Sequence, residues 1–348
     1  MDRISGASPS GASAGELPGI GNGGPDASEI GAATWSGAAL APPPETPAGR
    51  PSLEDELGRL YAALDRVDQQ GSQRSGTPPD GFQPGTPPAP AAAGPRGSAA
   101  SAAEVKDAIA LPKATDLRNS LAAIKTAGFT DVHLRPVPYL DQGSAAWAKR
   151  PYDRSPPIPG ESRTIGQAGC APTALAMVDC GLRDAHTSPV VTAGFAMSRR
   201  LSGSATSAGT NTAGLARQWA EYTGLGLTVG LSSQKSKNVD TLKAGLEANG
   251  IAMVSVGADA QTHRGHFSAS SHVMVINGCA VRNGEEWFAV ADPGRRDQSR
   301  PHPGLLATDA DVVQLAGAVN GCGRVWISRT QLEAEMKGCF VFHRKDES

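Results

Sequence analysis

The chain has 348 residues, room for one or two domains, and a formal net charge of −2. That balance lacks the basic excess of a nucleic-acid binder, and no run of about 18 apolar residues is present that could span a membrane. None of the five cysteines pairs with another at Cys-x-x-Cys spacing, which removes zinc-ribbon and thioredoxin readings, and the odd count leaves at least one thiol unpaired.

Composition divides the chain near residue 103. Residues 1–102 carry 15 of the 27 prolines and long runs of Gly, Ala and Ser, while the first lysine is Lys106. The same stretch has 6 Arg against 11 Asp and Glu, a net of −5, which leaves +3 for the remainder. So little aliphatic surface cannot offset chain entropy, so 1–102 is expected to be a disordered arm. Its one ordered island is 52–70. Ser52 begins a capping-box-like start, and Leu53, Leu57, Leu60, Tyr61, Leu64 and Val67 recur at helical spacing before Gly71. Such a helix either packs on the carboxy-terminal region or docks a partner in a groove, a secretion chaperone or a host protein. The first thirty residues hold no apolar segment of the Sec type, so no Sec signal is expected. The polar, Ser-rich start resembles the leaders of bacterial type III secreted effectors. That resemblance implies export into a host cell; otherwise a cytoplasmic protein is expected.

Residues 103–348 are long enough for one domain with a sizeable core. Helical spacing predicts a helix over 115–127 closed by Gly128, followed by short extended pieces at 132–134 and 137–140. After a Pro-rich loop through Ser162, helices are predicted over 168–180, stopped by Gly181, over 189–201, capped by Ser188 with Pro189 in the first turn, and over 212–223 before Gly224. The period then changes. Strands are predicted at 227–231, 251–256, 272–281, 287–291, 324–327 and 339–343, with helices at 239–248 and 330–336. Helices first and an antiparallel sheet second predict an α+β fold.

The chemistry concentrates in three places. In Gly169-Cys170-Ala171-Pro172, the proline is tolerated only in a first helical turn, so Cys170 is placed at a helix amino terminus. There the unpaired N–H groups and the helix dipole favour the thiolate, the competent nucleophile. His272 heads an apolar strand, and Asp292 ends the next one. If the two strands pair as a hairpin turning near 282–285, both fall at one end, with the carboxylate on one imidazole nitrogen and the thiol on the other. Cys180, Cys279, Cys322 and Cys339 read as packing residues. His266 competes with His272, and Asp259, His263, His266 and His272 match no standard metal-ligand spacing, so no metal or cofactor is expected.

Tyr139-Leu140-Asp141-Gln142, then Trp147, then Thr164 to Thr173 around the cysteine, His272 to Gly278, and Asp292-Pro293 come one after another in an order that resembles the bacteriocin-processing (double-glycine leader) peptidases and their papain-like relatives. The likeness spans about 136–343. It implies a papain-like cysteine peptidase fold with the nucleophile's helix packed on an antiparallel sheet. It also implies Cys170 as nucleophile, His272 as general base and acid, Asp292 as its orienter and Gln142 as oxyanion donor. The long, Pro-rich gap between Gln142 and Cys170 departs from the pattern and makes Gln167, three residues before the cysteine, a rival for the oxyanion role. A thiol hydrolase acting on a peptide or protein substrate is the leading expectation. A papain-like acyltransferase, transglutaminase or deamidase, and a catalytically dead scaffold that binds a partner, are its alternatives.

Overall fold

The computed structural model describes residues 104–105, 108–152, 163–204, 207–257, 267–268, 271–294, 312–319 and 321–346. The amino-terminal arm with its 52–70 helix, and Asp259, His263 and His266, lie outside the described residues.

The fold is α+β. Its elements in chain order are α1 (Ala114–Thr126), β1 (Thr130–Leu134), α2 (Ile165–Ala168), α3 (Cys170–Arg183), α4 (Pro189–Ser198), β2 (Ser202–Ser204), β3 (Ser207–Thr210), α5 (Thr212–Thr223), β4 (Gly226–Gly230), α6 (Lys235–Glu247), β5 (Ile251–Val256), β6 (His272–Arg282), β7 (Glu285–Ala291), β8 (Val312–Gln314), β9 (Val325–Ser328), α7 (Arg329–Glu335) and β10 (Met336–His343). The main sheet runs β4-β10-β5-β6-β7-β9-β8, with each neighbouring pair antiparallel and β1 added against β6. Strand β6 is the spine. The half from His272 to Ile276 pairs with β5, and the half from Gly278 to Val281 pairs with β1.

Burial on both faces explains why β6 reads as a near-continuous apolar run. Val273 and Val275 face the core under α3, whereas Met274 and Ile276 face the core under α6 and α7. A bulge at Asn277 then changes the parity: Cys279 joins the second core, and Ala280 turns to the first side with Trp287 and Trp326 under α1. The bulged residue is anchored, its Nδ2 donating to the carbonyls of Arg135 at 2.7 Å and Gly321 at 2.8 Å. Asn283 and Gly284 both take positive φ, 54° and 80°, as a two-residue hairpin turn requires.

Helix α3 is buried continuously from Ala171 to Cys180, the pattern of a helix enclosed on every side. Its single buried charge, Asp179, accepts from Trp219 Nε1 at 3.0 Å and Thr187 Oγ1 at 2.5 Å, with Arg183 at 3.4 Å. The sequence places the helix end at Gly181, but α3 continues to Arg183 and closes at Asp184 in the left-handed region, φ 52°. Gly181 serves close packing instead. A Cβ there would lie 2.7 Å from Ile251 Cδ1 and 2.8 Å from Val137 Cγ1. Further differences have local causes. The short strands β2 and β3 carry little apolar signal, β8 is only three residues long, and 137–140 is largely buried chain without strand pairing. Helix propensity alone favours Ala over Gly by about 1 kcal/mol, but overpacking of two fully buried neighbours costs about 1–3 kcal/mol. Gly181→Ala should therefore lower the denaturation midpoint, and an unchanged or raised midpoint in a urea titration would refute this packing role.

Candidate active site

Each prominent residue is held by its own local reason. Gly169 joins α2 to α3, and a Cβ on it would come within 2.4 Å of the Ile165 carbonyl oxygen, so only glycine permits the turn. Cys170 is consequently the first residue of α3. Thr192 Oγ1 of α4 donates to the Pro172 carbonyl at 2.7 Å and ties down that first turn.

His272 and Asp292 come from the β6–β7 hairpin. The ladder's last pair is Val275 with Ala291, which leaves Asp292 just past the end of β7 and level with the head of β6. His272 Nε2 lies 2.6 Å from Asp292 Oδ1, with side-chain exposures of 11% and 2%. That bond occupies Nε2 and leaves Nδ1 for the Cys170 thiol, which hydrogen-bonds the ring. The Asp292 carboxylate is steadied by the Gly294 N–H, which donates to Oδ1 at 2.8 Å. Gly294 also lies against the imidazole: a Cβ there would meet His272 Cε1 at 3.0 Å.

Sequence reasoning singles out neither Gly294 nor Val273. Two more steps of the ladder would set Pro293 opposite Val273. Proline has no N–H to donate, and the chain turns away there. The Val273 backbone can then serve the cysteine, and it hydrogen-bonds Cys170 together with the Ala171 backbone. The signal is present in the Asp-Pro-Gly sequence: a strand ends at a residue unable to continue a ladder.

Electrostatics distinguish Cys170 from the other thiols. Burial would push it up, but the His272 hydrogen bond and charge, with the Val273 and Ala171 backbone groups, outweigh burial and bring it below the ordinary thiol range. His272 moves the other way. Burial disfavours its charge, but the Asp292 carboxylate and the Cys170 partner raise it well above an ordinary histidine. Both directions favour a thiolate–imidazolium pair. Cys180 and Cys279, buried without such partners, are pushed up to about 12. Cys170 is the one cysteine of the five not fully buried.

The two glutamines separate clearly. Gln142 is partly buried. Its backbone N–H donates to the Pro293 carbonyl at 2.9 Å, and its Nε2 donates to the Gly166 carbonyl at 3.2 Å, so it bridges the aspartate turn and the segment before Cys170. The second N–H of Nε2 has no acceptor among the described residues. Gln167 is exposed, and its Oε1 closes a capping box by accepting from Thr164 N at 3.0 Å. Among the described residues no group of three or more His, Cys, Asp or Glu could hold a metal ion, and no helix is long and apolar enough to cross a membrane.

No protein-family model and no curated protein sequence matches the chain. Function is therefore read from the geometry of the site.

A thiolate beside an imidazolium can attack an electrophilic carbon and hand a proton to a leaving group. Asp292→Asn removes the charge that keeps His272 protonated. The histidine should then titrate lower and the thiol higher. Alkylation of Cys170 followed against pH should show a wild-type midpoint below the ordinary value of about 8.5 and a midpoint displaced upward in the variant. Coincident profiles would show that Asp292 does not tune the pair.

Proposed function

We propose that this protein is a cysteine peptidase of papain-like fold that works by acyl transfer. The observation that carries the reading is the Cys170–His272–Asp292 line, with the thiol at a helix amino terminus and the carboxylate on the far imidazole nitrogen. In this reading Cys170 Sγ adds to the carbonyl carbon of a peptide bond. The negative charge that develops on the carbonyl oxygen is received by the spare N–H of Gln142 and by backbone N–H at the start of α3. His272 gives its proton to the departing amine as the C–N bond breaks, leaving a thioester on Cys170. Water, deprotonated by His272, then adds to the thioester. Its collapse releases the carboxylic acid and restores the thiolate and imidazolium.

Three features support this assignment over a structural one. The direction of the Cys170 titration is opposite to that of the buried thiols Cys180, Cys279, Cys322 and Cys339 in the same chain. His272 is nearly buried, yet its surroundings favour its charged form. Gln142 is tied by hydrogen bonds to both halves of the site.

Limiting iodoacetamide near neutral pH, followed by mass spectrometry of the intact and digested chain, tests the assignment. Wild-type protein should be labelled at Cys170 first. His272→Ala should slow that labelling by about 10²-fold or more, because the thiol loses its ion-pair partner. Labelling of Cys170 at the same rate in wild type and in His272→Ala would reject the reading.

A further inference from the structure

The peptide unit between Asp141 and Gln142 is held at both ends. Its oxygen, on Asp141, accepts from the Trp147 indole Nε1–H at 2.8 Å and from the Ser144 N–H at 3.0 Å. Its own N–H, on Gln142, donates to the Pro293 carbonyl at 2.9 Å. A peptide unit is planar, so fixing its oxygen and its nitrogen fixes the direction from which the Gln142 side chain departs. We propose that Trp147 is a positioning residue for the oxyanion donor: its indole N–H, acting through the Asp141 carbonyl, sets where the Gln142 amide stands relative to Cys170. The proposal rests on the reading of Cys170 and Gln142 given above.

Two observations support this role beyond simple burial. Trp147 is 2% exposed, and its ring fills core space that another aromatic ring could fill. What only the indole supplies is the hydrogen bond to Asp141. The turn that carries it also holds the far end of the glutamine. Trp147 N and Ala148 N both return to the Ser144 carbonyl, at 3.1 and 2.8 Å. The Ala148 carbonyl accepts from Gly166 N at 2.9 Å. Gly166 is the residue whose own carbonyl receives the Gln142 amide. A Cβ on Gly166 would come within 3.0 Å of the Ala148 carbonyl oxygen, so this contact leaves little slack. The backbone and the amide of Gln142 are thus referred to one short turn, and Trp147 locks that turn to Asp141.

Two reactions of the same thiol separate positioning of the oxyanion donor from upkeep of the thiolate. Iodoacetamide loses iodide from a saturated carbon as the C–S bond forms, with no oxyanion. With p-nitrophenyl acetate, the thiolate adds to the acetyl carbon through a tetrahedral oxyanion. The C–O bond then breaks to release p-nitrophenolate and leave an acetyl thioester. In the full chain, Trp147→Phe should lower the acylation rate about ten-fold, the scale of one lost orienting hydrogen bond, with the Cys170 alkylation rate unchanged. In a Gln142→Ala background the same substitution should have no further effect. Unchanged acylation, a parallel fall in both rates, or an equal loss when Gln142 is absent would each overturn the proposal. Should thermal melting show that the phenylalanine variant is unfolded, β-(3-benzothienyl)alanine at position 147 keeps the fused-ring shape, removes the N–H alone and is read by the same two rates. Failure of the underlying reading is distinguishable, because it is seen in wild type before any variant is compared: Cys170 would then be alkylated no faster than a free cysteine.

Discussion

The site depends on the point where β7 leaves β6. Up to Val275 and Ala291 the two strands satisfy each other's backbone groups. Beyond that pair, Pro293 cannot donate, and Pro293 and Gly294 form a turn. Three consequences share this one cause. Asp292 is released from strand pairing and drops onto His272. The Val273 backbone becomes available to the cysteine. The Pro293 carbonyl becomes available to Gln142. A residue able to continue the ladder would compete with all three at once.

Burying a thiolate in such a place carries an energetic cost, and another thiol on the same helix shows the opposite direction. Cys180 sits on the same helix as Cys170, about 15 Å along it at roughly 1.5 Å per residue, and burial beside Asp179 pushes its thiol up. Each pKa unit is about 1.4 kcal/mol of preference between protonation states. To end below the ordinary value, Cys170 must first offset a desolvation penalty of the same kind, and that requires a full opposite charge in contact. His272 supplies it only because Asp292 keeps the imidazole protonated. The carboxylate thus acts on the cysteine through the histidine, and the three groups form a single electrostatic unit.

The sequence discloses the order of elements because the signals are local. Ser188 accepts from Val191 N as a helix cap, Gly224 takes φ 76° after α5, and β5 occupies the six residues its β-branched run marks. The hairpin geometry comes from counting along two apolar runs that flank Asn283-Gly284. What stays hidden depends on tertiary neighbours. Gly181 has the appearance of a helix stop, but its meaning lies in Ile251 and Val137, remote in sequence. The parity change at Asn277 is invisible in a run where nearly every residue is apolar or small, since the bulge is defined by what Arg135 and Gly321 accept.

The two glutamines show why distance along the chain is a poor guide to what holds a side chain. Gln167 is near Cys170 in sequence, but it is exposed and its Oε1 is held by the start of α2. Gln142 is far away, and the intervening Pro-rich loop looks like an obstacle. The structure closes that loop at its base. Pro151 and Thr164 form an isolated antiparallel bridge, Tyr152 N donates to the Arg163 carbonyl, Ile165 N to Arg150 and Gly166 N to Ala148. The chain leaves and returns at nearly the same point, so the number of residues between does not set the separation of the ends. The entropy of closing such a loop grows only with the logarithm of its length, whereas the paired stem is made by a fixed set of hydrogen bonds. A loop of this kind can lengthen or change composition without moving Gln142 relative to Cys170. The geometry of the stem, rather than the spacing of the motif, ties the Gln142 amide to the segment before Cys170.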